Sequence, residues 1–114
     1  MSTSAEFMEF VAETLHYFPT LRYRKMFGEY MVYINDKPVI LVCDETAYVK
    51  KLPEIADLMQ NASCDTPYKG AKEHYILDLE DRELAEPVLT ILEAITPLPK
   101  PKKRRQEPVS KVNK

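Results

Sequence analysis

Cys43, Cys64, His16 and His74 are the only cysteines and histidines in this 114-residue sequence. They are the residues that could bind a zinc ion or form a thiol–imidazole catalyst. A Cys₂His₂ zinc site draws on C-x₂₋₄-C and H-x₃₋₅-H pairs, in which one turn delivers two ligands to one ion. Neither spacing occurs, so no metal is expected and both cysteines read as structural. A Cys/His nucleophile pair needs the two groups adjacent, with a third group orienting the base, and nothing in the sequence argues for that arrangement. Gly28 and Gly70 are the only glycines and stand far apart. A phosphate-cradling loop or dinucleotide fingerprint needs clustered glycines for close backbone approach, so both are excluded. Each glycine is expected to serve a turn or bulge, with Gly28 at the head of a hairpin. No catalytic residue, no cofactor and no enzymatic activity are expected.

The charged residues offer recognition instead. Residues 1–99 hold nine Lys/Arg against seventeen Asp/Glu, a net of −8, while residues 100–114 hold seven against Glu107 alone, a net of +6. This is the pattern of an acidic body with a basic interaction tail. In the tail, Lys100, Lys102, Lys103, Arg104 and Arg105 could contact nucleic-acid phosphates without reading bases, with a salt slope of about −4 for about five contacts. The same run also reads as a protein address or as a tail that only keeps an acidic protein soluble. Within the body, Arg22 and Arg24 share one face of an extended segment and Lys25 the other. They would either bind an acidic partner through planar fork hydrogen bonds or guard an edge strand with charge. Tyr23, Tyr30, Tyr33, Tyr48, Tyr68 and Tyr75 fall in strand-like segments and Tyr17 closes a helix. Tyr suits both sheets and protein interfaces.

The elements that must carry these groups are legible from periodicity. Thr3 and Glu6 fit a capping box. Phe7, Phe10, Val11, Leu15 and Phe18 then recur at helical spacing until Pro19, which should end the helix. Residues 30–34 and 39–43 read as neighbouring strands joined by Asn35-Asp36, a pair that accepts the positive φ of a tight hairpin. Asp44-Glu45-Thr46 makes a second turn into a strand over residues 47–50. Links this short require an antiparallel meander. Both faces of the second and third strands are apolar, so one should carry helices and the other meet a second subunit. Pro53 suits the first position of a second helix, with Ile55, Leu58, Met59 and Ala62 buried. Short strands are expected near residues 66–68 and across 74–80, around a Lys69-Gly70-Ala71 turn. Leu84, Val88, Leu89, Ile91, Leu92 and Ile95 mark a third helix, with Pro87 tolerable only in its first turn. The expected fold is α+β, an antiparallel sheet with helices on one face in the order α-β(3–4)-α-β(2)-α. Residues 1–97 form the domain, and residues 98–114 are too rich in proline and charge to fold.

The segment Arg24-Lys25-Met26-Phe27-Gly28-Glu29-Tyr30, running into Val32-Tyr33-Ile34, resembles the Arg-x-Met-Phe-Gly-Gly signature of the TfoX N-terminal-domain family. The likeness continues through Tyr48 and Lys50 at a strand end and through Pro67-Tyr68, and it spans about residues 5–96. Arg24, Met26, Phe27, Gly28 and Tyr33 carry the motif, with Glu29 standing where many relatives have a second glycine. The resemblance implies a secretion-chaperone-like α+β fold and no known catalysis. Full-length TfoX (Sxy) proteins are bacterial regulators of natural competence that join this domain to a helical C-terminal one. Here only the basic tail follows residue 97, so a single-domain member is expected.

Together these readings predict a regulatory or protein-interaction domain, homodimeric through its sheet face. The alternative is an accessory nucleic-acid binder acting through the tail, and a distant third is a small-molecule pocket near Met26-Phe27-Gly28. Residues 1–10 lack the basic-then-apolar pattern of a secretory signal, and no run reaches the roughly 18–20 apolar residues of a membrane span. A cytoplasmic protein without membrane contact is the expectation.

Overall fold

In the computed structural model, residues 4–26 and 29–98 are described. The first helix, α1 (Ala5–Thr14), is capped by Ser4, whose hydroxyl accepts the Phe7 N–H at 3.1 Å. The expected box partner Thr3 lies outside the described residues. With Ser4 as the cap, Glu6 contributes only its charge to the positive helix start. The buried stripe is Met8, Val11 and Leu15, so Phe10 falls at its edge, 39 % exposed and leaning on Phe7. Pro19 is not the terminator: the helix closes at Thr14, and the three-residue turns His16→Glu13 and Phe18→Leu15 follow. Those turns turn the Tyr17 ring under the Arg82 guanidinium, 3.9 Å from its centroid.

Six strands follow: β1 (Arg22–Met26), β2 (Glu29–Ile34), β3 (Lys37–Cys43), β4 (Thr46–Lys50), β5 (Cys64–Asp65) and β6 (His74–Ile76). They form one open sheet in the order β1-β2-β3-β4-β6-β5, antiparallel throughout. Asn35 and Asp36 take φ of 53° and 65°, the left-handed pair that matches hairpin twist. Asp44 and Glu45 do the same, which frees Thr46 to begin β4 rather than complete the turn. Between β2 and β3 the register slips: Val32 opposes Ile40 while Tyr33 opposes Pro38, leaving Val39 as the extra residue of a bulge. Pro38 has no N–H for the ladder, so a bulge beside it is the economical arrangement.

Three expectations need correction. The segment after Pro53 is a 3₁₀ turn (Pro53–Ile55) and not an α-helix, and Leu58 is 40 % exposed, with only Ile55 and Met59 buried. So short a segment is below self-sustaining helix length, and Asp57 and Asn61 compete for its backbone. The strand expected at residues 66–68 is instead β5 at Cys64–Asp65, because Pro67 cannot donate to a ladder. The Gly70 turn does form, with φ of 89° and the Ala71 N–H reaching the Tyr68 carbonyl at 3.0 Å. The run across 74–80 keeps its alternation, Leu77 and Leu79 being buried, but ladder pairing stops at Ile76.

The third correction concerns the final helix, α2 (Arg82–Ile95), capped by Asp81 on the Leu84 N–H. Pro87 lies in its second turn, where its missing N–H leaves the Glu83 carbonyl without an i+4 donor. Pro87→Ala should therefore raise the unfolding free energy by about 2 kcal/mol. It removes a proline penalty of about 3 kcal/mol, offset by about 1 kcal/mol of regained unfolded-chain entropy. Urea denaturation monitored by circular dichroism checks this.

Met8, Val11 and Leu15 of α1 and Ala85, Val88, Leu89 and Leu92 of α2 share one buried cluster with Val32, Ile34, Ile40, Val42, Ala47 and Val49. Both helices thus close over one face of the sheet. At the β2–β3 hairpin α2 is fastened by Lys37, which pairs with the Glu93 carboxylate at 3.3 Å and donates to its carbonyl at 3.0 Å. No helix among the described residues is long and apolar enough to cross a membrane.

Candidate functional site

Strand alternation assigns the other face. Tyr30 and Val32 of β2 point into the core, so Met31 and Tyr33 point away from it. The register extends this face to Arg22 and Arg24 opposite Tyr33 and Met31, and to Leu41, Tyr48 and Ile76 across β3, β4 and β6. An antiparallel sheet covered on one side usually shows polar residues on the other. Here Met31, Tyr33, Leu41 and Ile76 are half-buried apolar groups. Arg22 flanks this patch, its guanidinium 5.3 Å from the Tyr33 ring centroid and 2.8 Å from the Asp36 carboxylate.

At the β4–β6 end the same face deepens into a concavity of about 580 Å³. Met31, Leu41 and Tyr48 form its floor, the segment between β5 and β6 forms one wall through Tyr68, Ala71 and Lys72, and Leu92 and Thr96 at the end of α2 close another side. Lys50, Lys51, Lys72, Glu73 and His74 bring charge to it. Lys51 is held by the Glu73 carboxylate at 2.9 Å, which raises its ammonium above the usual lysine value. The His74 Nδ1 is 2.7 Å from the Lys72 carbonyl, which only accepts, so Nδ1 carries the proton and Nε2 is left for another partner.

The sequence-singled residues divide accordingly. Arg22, Tyr23, Arg24 and Lys25 form an exposed edge strand, as the edge-guarding reading requires. Arg24 and Met26 of the family motif lie on β1 and Tyr33 on β2, while Phe27 and Gly28 lie outside the described residues, as do Lys100, Lys102, Lys103, Arg104 and Arg105. The pocket expected beside Met26-Phe27-Gly28 falls on residues outside the described ones, and Met26 is not among the residues lining the concavity. Of the tyrosines, Tyr30 and Tyr48 are buried, whereas Tyr68 sits in a loop and not a strand, 60 % exposed. The concavity was missed in the sequence because its wall is a loop and its cations, Lys50, Lys51 and Lys72, are separated along the chain. The apolar outward alternation of Met31, Tyr33 and Leu41 was the one available signal.

Cys43, Cys64, His16 and His74 fall on β3, β5, the turn after α1 and β6. Among the described residues no group of three or more His, Cys, Asp or Glu could hold a metal ion. The Cys43 thiol is pushed up to about 11, first by burial, then by the charge and hydrogen bond of Glu29, then by Asp44. A neutral, enclosed thiol is a poor nucleophile. Iodoacetamide at pH 8 should alkylate Cys64 in the native protein and leave Cys43 untouched until unfolding, as peptide mass mapping would show. Because the value rises from 9.0 on folding, Cys43 holds its proton more tightly in the native state. Its contribution to stability is present below pH 9.0 and is lost as pH rises toward about 11.

Comparison with known proteins adds two findings. The family model of the TfoX N-terminal domain matches residues 13–84, from the end of α1 into α2. A Spirochaeta aurantia protein, described as an uncharacterised 12.7 kDa protein in the trpE 5′ region, is 32 % identical over 109 residues. The match covers 92 % of this chain and 93 % of that protein.

Proposed function

The chain belongs to the TfoX N-terminal domain family, and on that premise we propose that it is a non-enzymatic regulatory domain acting by protein–protein contact. It self-associates through the β1–β2 half of the sheet face opposite the α1–α2 core. The observation that carries this reading is the apolar outward row of Met31, Tyr33 and Leu41, in positions that water would normally claim. Arg22 and Arg24 rim the row, and Arg is enriched at protein interfaces. A transcription-regulatory role in the bacterial cytoplasm, the setting of the family's two-domain competence regulators, goes with this reading. Light scattering at micromolar concentration tests it: the expected mass is twice the 13.2 kDa of the chain, and a strict monomer would refute self-association.

A second reading is favoured by the +6 charge of residues 100–114 beside a body of −8. In it the tail tethers the domain to nucleic acid through Lys100, Lys102, Lys103, Arg104 and Arg105. Alanine at all five should abolish DNA retention at low salt in a gel-shift assay, and equal retention by both chains would remove the tail from the account.

A further inference from the structure

The concavity at the β4–β6 end of the open face has a composition that self-association does not require. Its floor is apolar: Met31, Leu41 and Tyr48, with Val39 brought in by the bulge at Pro38. Its charge runs against that of the domain. Over residues 1–99 acidic groups outnumber basic ones by eight, yet the concavity is lined by Lys50, Lys51 and Lys72 with Glu73 as its only carboxylate. Glu73 is already taken by Lys51. Lys50 and Lys72 have no ion-pair partner among the described residues, and both are exposed. Two uncompensated ammonium groups therefore stand over an apolar floor, beside a His74 whose Nε2 is uncommitted. The volume of about 580 Å³ falls in the roughly 300–1,000 Å³ range of small-ligand sites.

We infer that this concavity is a binding site for a small amphipathic anion, its apolar body on Met31, Leu41 and Tyr48 and its carboxylate or phosphate head between Lys50 and Lys72. A neutral or cationic ligand of the same body would forgo the charge contacts that the two ammonium groups offer. A bare inorganic anion would gain nothing from the floor, so both parts are needed. Tyr68, 60 % exposed on the loop wall, can fold its ring onto the apolar body, and the Gly70 turn beside it supplies the left-handed backbone on which that wall depends. The site shares Met31 and Leu41 with the row proposed for self-association, whereas Lys50, Lys72 and His74 lie outside that row, so a bound anion and a second copy would compete for the shared floor.

The test is titration of the full chain with octanoate, octyl phosphate and octyltrimethylammonium, each below its micelle concentration, followed by amide chemical shifts. The expected result is saturable binding of the two anions, with shifts at Leu41, Tyr48 and residues 68–74, and no saturation by the cation. A preference for octanoate assigns a carboxylate head and a preference for octyl phosphate a phosphate head. Lys50→Glu with Lys72→Glu, both at exposed positions that should leave the melting temperature unchanged, should weaken anion binding at least tenfold. Absence of saturable anion binding, equal binding of the cation, or equal affinity in the double variant would each overturn the proposal. The wild-type comparison of head groups stands even if the variant misfolds.

Discussion

Leu89→Ala should lower the free energy of unfolding by about 2–5 kcal/mol, the range for truncating a fully enclosed leucine and leaving its cavity. Leu89 has no exposed surface, and it sits in the one cluster that joins α1, α2 and the inner face of the sheet. A domain of this size holds about 5–15 kcal/mol in total, so the loss takes a large share. The matched control is Leu58→Ala. Leu58 is 40 % exposed because its segment is a 3₁₀ turn and not a helix pressed on the core. A change within about 0.5 kcal/mol is expected there. Urea midpoints for the two variants check both statements at once, and equal losses would mean that the middle segment packs as a true helix.

The second large effect is on association. Met31→Glu with Tyr33→Glu should raise the dimer dissociation constant at least 100-fold. Each side chain that no longer buries against a second copy forfeits about 1.5–3 kcal/mol, and tenfold in affinity is about 1.4 kcal/mol. The isolated subunit should tolerate the pair. Met31 stands opposite Arg24 and Tyr33 opposite Arg22 in the β1–β2 register, so each new carboxylate meets a guanidinium across the strand. Sedimentation velocity measures the association, and a melting temperature extrapolated to low concentration measures the subunit. A loss of folding without a loss of association would reverse the assignment of this face.

How much of this was legible beforehand depended on whether local chemistry or tertiary packing decided the outcome. Asn35-Asp36 declared its turn because few residue pairs accept two positive φ values, and the meander followed from the shortness of that turn. Ile55, Leu58, Met59 and Ala62 have helical spacing, but the spacing cannot say that only Ile55 and Met59 find a core to enter. Pro87 was expected in the first turn because the apolar pattern was read from Leu84, whereas the Asp81 cap begins the helix at Arg82 and carries Pro87 into the second turn. Pro38 was readable as a proline but not as the origin of a bulge, since its strand partner is known only once the register is. The open face was anticipated from the apolar residues on both sides of β2 and β3. Its concavity was not, because the loop wall from Tyr68 to Glu73 meets Lys50 only in three dimensions.

Intermolecular nuclear Overhauser effects in a mixed sample of isotope-labelled and unlabelled full-length chain test the central claim most directly. The account predicts contacts between copies at the Met31 methyl and the Tyr33 ring, disappearing in the Met31→Glu/Tyr33→Glu variant. Intermolecular contacts confined to Phe10 or Leu58 on the helical side, or none at any concentration up to the millimolar range, would contradict it.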